Sequence, residues 1–82
     1  MRKKQGLLAQ RITDGLIIYD PDKDEAYTLN ETGATIWENV DLGEDEIVRL
    51  LTERYGIEED EAREDTRAFL QELREKGLLE DE

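Results

Sequence analysis

Carboxylates are the one reactive side-chain type in generous supply, 23 of 82 residues. General acid–base catalysis needs two of them in environments that split their pKa values. Pairs such as Glu61 with Asp65, or Glu72 with Glu75, sit at helical spacing on positions that face water, so they read as solvated faces. Asp20, Asp22 and Asp24 alternate like the opening of a calcium loop, but Glu25 occupies the sixth place, where such a loop needs glycine. Pro21 among them marks a turn instead. Cysteine and histidine are both absent. Thiolate nucleophiles, Cys/His zinc sites, disulfides and the usual base near neutral pH are therefore missing. The chain is not expected to be an enzyme, and no catalytic residue, metal ligand or cofactor is assigned.

Chemistry of another kind is open to it, the hydrogen bonding of an unpaired backbone. A chain of 82 residues makes one small domain, with the ends 1–6 and 80–82 expected to be loose. Arg2, Lys3 and Lys4 have no apolar run behind them and form no signal peptide, and no stretch has the length of a membrane span. A cytoplasmic protein without membrane attachment is expected. The formal net charge of -12 opposes binding to phosphate backbones.

The elements follow from local pattern. Leu7 to Ile12 suits a strand, Thr13-Asp14-Gly15 a tight turn, and Leu16-Ile17-Ile18-Tyr19 a β-branched strand apolar on both faces. Asp20 to Asp24 forms a second turn, and Glu25 to Leu29 a third strand with Glu25, Tyr27 and Leu29 on one face. Asn30 is an N-cap for helix one, whose stripe is Gly33, Ile36, Trp37 and Val40. Helix two opens at Gly43 with a Leu42–Ile47 staple and Glu46 placed to cap, buries Ile47, Leu50, Leu51 and Tyr55, and ends at Gly56. Helix three runs from about Asp60 to Lys76, with Ala62, Thr66, Phe69, Leu70 and Leu73 inward. Gly77 ends it, and Leu78 folds back on Leu73. The expected class is α+β and winged-helix-like, a three-stranded antiparallel meander followed by three α-helices.

In such a meander the third strand is an edge without proline, beside helix three. An extended peptide could add there and send alternate side chains into the crevice. Three or four new backbone bonds at roughly 0.5–1.5 kcal/mol each reach at most about 6 kcal/mol. Micromolar binding needs about 8 kcal/mol. Two apolar anchors at roughly 1.5–3 kcal/mol each would close the gap, so the crevice needs apolar walls. Ala62, Thr66, Phe69 and Leu73 are the candidates, each open to a reading as core. Tyr19 and Tyr27 could close the sheet on the helices or face a partner, and Trp37, in register with Ile36 and Val40, reads as core.

The segment Tyr27-x-Leu29-Asn30-x-Thr32-Gly33-Ala34-x-Ile36-Trp37 lies behind the hairpin and ahead of two helices. With it stand Asp14-Gly15-Leu16-Ile17-Ile18-Tyr19-Asp20, Glu46-Ile47-Val48 with Leu51 and Tyr55, then Asp65, Phe69-Leu70, Leu73 and Gly77-Leu78-Leu79. In this order and spacing the chain resembles the PqqD-like proteins, the peptide-recognition domains of ribosomal peptide natural-product pathways. The resemblance spans about Asp14 to Leu79, with Gly43 in place of a common Thr or Ser cap and Asp24 in place of a common turn glycine.

The resemblance implies a winged-helix-type domain that grips the leader of a precursor peptide as an added strand. The leader is then presented to a separate tailoring enzyme, a leader peptidase in the lasso-type members that the chain is most like. Carried onto this sequence, Glu25, Ala26, Tyr27 and Thr28 would pair with the leader. Ala62, Asp65, Thr66, Phe69 and Leu73 would line the groove, with Arg63 and Arg67 at its rim. Two alternatives stand beside it, a winged-helix DNA-binding regulator and a generic interaction or oligomerisation module using the same edge. The first meets an electrostatic objection: from Glu58 to Lys76 eight acidic residues face four basic ones, net -4 on the element that would enter the groove.

Overall fold

Apolar alternation and turn chemistry produce the meander directly. In the computed structural model, which describes residues 1–80, β2 (Leu8–Ile12), β3 (Gly15–Asp20) and β4 (Glu25–Asn30) form an antiparallel sheet in the order β2-β3-β4. Ile12 pairs with Gly15 across the first turn and Asp20 with Glu25 across the second. Gly15 is required by close approach, because a Cβ there would lie 1.8 Å from the Leu29 carbonyl oxygen. Asp24 takes the left-handed conformation, φ 52°, and accepts a hydrogen bond from the Tyr19 hydroxyl at 2.6 Å.

The helices are α1 (Glu31–Glu38), α2 (Glu44–Tyr55) and α3 (Glu59–Glu75). The Asn30 side chain caps α1, its Oδ1 accepting from the Gly33 amide at 2.8 Å. That helix is shorter than its apolar stripe suggests: Val40 is buried, but within a 3₁₀ turn, Val40–Leu42. In α2 the buried residues are Ile47, Val48 and Leu51, while Leu50 is half-buried and Tyr55 exposes its ring and bonds the Thr35 hydroxyl. Gly43 is the N-cap without a side-chain bond, and Glu46 pairs with Arg49 rather than capping. The end of α3 is a Schellman turn: Gly77, at φ 75°, donates to the Arg74 carbonyl, and Leu78 to that of Leu73, both at 2.9 Å.

One core joins Leu16, Ile18 and Leu29 of the sheet to Trp37, Leu73 and Leu78. A second lies between α1, α2 and α3, around Ile36, Ile47, Leu51 and Ala62. Trp37 is core, as its register with Ile36 implied, and the Lys3 ammonium lies 5.4 Å from its ring centroid.

At the chain's beginning, where a loose end at 1–6 is expected, the backbone from Arg2 to Lys4 is paired. β1 (Arg2–Lys3) pairs antiparallel with β5 (Leu79–Glu80), and the Lys4 amide donates to the Leu78 carbonyl. Lys4 Nζ then reaches the fully buried Asp20 carboxylate at 2.9 Å, with Asp22 and Lys23 amides also bonding that carboxylate. These bonds hold the Asp20 carboxyl below its ordinary range and raise the Lys4 ammonium above its own. Glu80 belongs to the paired segment, and the same expectation at 81–82 lies outside the described residues.

Candidate peptide-binding site

β4 pairs with β3 on one side, and among the described residues nothing pairs with its other edge. Which backbone groups that edge offers follows from register. The pair Ile12–Gly15 closes a two-residue turn and must be of the hydrogen-bonded kind, so along β3 the groups of Leu16, Ile18 and Asp20 point towards β4. Their partners Leu29, Tyr27 and Glu25 answer them, leaving the amides and carbonyls of Ala26 and Thr28 directed outward. Side chains alternate independently: Tyr27 and Leu29 face the helices, half-buried and buried, while Ala26 and Thr28 are exposed.

The free edge borders a groove of about 320 Å³ against α3. Leu29, Leu73 and Leu78 supply its apolar walls together with Phe69 and Tyr27, while Lys76 and Glu72 stand at its mouth. The Lys76 ammonium bonds Glu72 at 3.2 Å and lies 5.6 Å from the Tyr27 ring centroid. Burial first, and then the neighbouring Glu25 carboxylate, raise the Tyr27 phenol above its ordinary pKa. Phe69 and Glu72 line both this groove and a second cavity of about 360 Å³ between α3 and the start of α1, whose wall Asn30, Thr32, Gly33, Ile36, Asp65 and Ala68 complete. Gly33 sets how closely α1 approaches, because a Cβ there would lie 3.0 Å from the Phe69 ring.

Of the expected site residues, Glu25, Ala26, Tyr27 and Thr28 form the open strand, Phe69 and Leu73 line the groove, and Asp65 lines the adjoining cavity. Ala62 and Thr66 line neither cavity. Both are 0% exposed, Ala62 within the core between α1, α2 and α3, and neither reaches the groove. Arg63 and Arg67 are placed elsewhere too. Two residues along a helix is about 200° of rotation, which turns Arg67 away from Phe69. Arg63 bonds Glu44 at 2.7 Å and Asp45 at 2.8 Å, and Arg67 bonds Glu44 at 2.8 Å, so both guanidiniums tie α3 to the first turn of α2. Their pKa values rise in consequence, and that of Glu44 falls. Glu72, Lys76 and Leu78 also line the groove, where the sequence reading did not place them. The spacing 65, 69, 72, 76 along one face of α3 was the available signal for the first two, and the fold-back after Gly77 for the third.

The same architecture occurs in solved structures. "TbiB1 in Complex with the TbiA(beta) Leader Peptide" superposes with a TM-score of 0.89 at 24% identity, covering 100% of this chain and 98% of that one. "Lasso peptide synthetase B1 complexed with the leader peptide" gives 0.84 at 25%, covering 94% and 93%. No curated protein matches. A family profile described as Coenzyme PQQ synthesis protein D (PqqD) matches residues 15–79, from the hairpin that creates the open edge to the strand after the Schellman turn. Matched over most of its length, the chain belongs to the PqqD family.

Proposed function

We propose that the chain binds the leader segment of a ribosomally made precursor peptide as a fourth strand along β4. It then delivers the peptide to a separate processing enzyme, a leader peptidase of the lasso type. The observation that carries this reading is the unpaired β4 edge running beside an apolar groove. Ala26 and Thr28 offer an amide and a carbonyl each, enough for about 6 kcal/mol at most. The pocket of Leu29, Phe69, Leu73 and Leu78 is suited to the apolar anchors that raise this to micromolar affinity. Two structural relatives described with leader peptides bound support the choice of ligand. The chain acts as an adaptor: it recognises and positions the peptide, and its partner performs the chemistry.

The test is to search the neighbouring genes for a short precursor and titrate its synthetic leader into ¹⁵N-labelled protein. Amide shifts at Ala26, Thr28, Phe69 and Lys76 with micromolar or tighter affinity are expected. Shifts centred on α2 would displace the site, and no binding by the leader would overturn the function.

A further inference from the structure

The cavity beyond Phe69 continues the groove with a different chemistry. Past Asn30 the chain turns from strand into helix, so a peptide lying along β4 runs out of partner strand and passes over the space between α1 and α3. Its lining joins the apolar Gly33, Ile36, Ala68 and Phe69 to the polar Asn30 and Thr32 and to two carboxylates, Asp65 and Glu72.

No basic side chain lines this cavity. Arg63 and Arg67 are engaged by Glu44 and Asp45 on the other side of α3, and the Lys76 ammonium pairs with Glu72 near the first compartment. Asp65 has no ion-pair or hydrogen-bond partner among the described residues, so one carboxylate at the continuation of the groove is unclaimed.

Resting on the leader-binding reading, we infer that the bound peptide carries a lysine or arginine that enters this second compartment, with Asp65 and Glu72 as the residues that select it. Its aliphatic stem lies on Gly33, Ile36 and Ala68, and its charged head reaches the carboxylates, the arrangement long cationic side chains favour. An acidic side chain at the same place meets the unclaimed Asp65 carboxylate, a like charge, and is disfavoured. The apolar anchor occupies the first compartment, beside Leu73 and Leu78. The order of the two residues then reports strand direction. A basic residue N-terminal to the apolar anchor means addition antiparallel to β4, and a C-terminal one means parallel addition.

The experiment is a charge-exchange cycle using the synthetic leader and variants of it with each Lys or Arg changed singly to Ala and to Glu. Asp65→Asn and Asp65→Lys place their changes on an exposed helix position and are checked for an unchanged melting temperature. Asp65→Lys is expected to weaken the parent leader by about threefold to tenfold, the range for an exposed ion pair lost and replaced by repulsion. One Glu-substituted leader should recover affinity on Asp65→Lys alone, and the salt dependence of binding should flatten in Asp65→Asn. The inference is overturned if the leader binds wild type but is indifferent to Asp65 and Glu72→Gln, if no leader position couples to Asp65, or if the leader that binds has no basic residue near its anchor. Absence of any binding to wild type overturns the leader reading itself and this inference with it.

Discussion

Single residues separate the roles of recognition and support within one strand and one helix. Thr28 directs its amide outward, whereas Tyr27 directs its own to Ile18. Proline at an outward edge position removes no sheet hydrogen bond. Thr28→Pro should therefore keep the fold and weaken leader binding about tenfold or more, while Tyr27→Pro should unfold the sheet; circular dichroism and calorimetric titration distinguish them. On α3, Phe69 is half-buried against Gly33, whereas Leu73, though it borders the groove, is buried in the core. Leu73→Ala should cost about 2–5 kcal/mol in denaturant unfolding. Phe69→Ala should do its larger damage to affinity. The Asp20 carboxylate, buried and bonded to Lys4, has its folded-state pKa lowered, so its stabilising effect is present above the ordinary carboxylate range and is lost as pH falls through the folded value. Asp20→Asn should melt below wild type at neutral pH, with the gap closing as pH drops below about 4. Lys4 acts at the other end of the scale, its contribution complete below its ordinary value and lost as pH rises from there through its raised one.

At the level of elements, what could be read beforehand was whatever carries a local signature. Thr13-Asp14-Gly15 and the Asp20–Asp24 turn announce the meander, Asn30 starts α1 where its side chain bonds Gly33, and Gly77 with Leu78 closes α3. Gly77→Ala tests that closure. It forces a Cβ into φ 75° and within 2.7 Å of the Lys23 ammonium, and should cost about 1–2 kcal/mol, seen as a lower melting temperature. Elements defined by distant partners left no such trace. Arg2–Lys3 is too short and too polar to show alternation, and its partner Leu79–Glu80 lies at the far end of the chain. The candidate site divides in the same way. The β4 edge and Phe69 were visible because strand alternation and helix period are local. The true allegiance of Arg63 and Arg67 depends on where α2 begins in space, which no spacing within α3 encodes. Ala62 and Thr66 share the apolar face of α3 with Leu73, and only the packing of α1 and α2 over them decides that they are sealed.

The whole molecule is a thin body, 37 × 31 × 16 Å, bearing a charge of -12. No helix among the described residues is long and apolar enough to cross a membrane. The outer face of the sheet also leaves Leu8 63% exposed, with Ile12 and Ile17 nearby at the margin of exposure. An edge that welcomes a guest strand does not distinguish by shape between that guest and the same edge of a sister molecule. The charge of -12 opposes such pairing, and that opposition can be switched off from outside. Near the isoelectric point of about 4.3, or in molar salt, light scattering should detect clustering of the unladen protein. Saturation with leader should suppress it, since an occupied border has nothing left to offer, and the ligand would then double as a preservative of its own receptor.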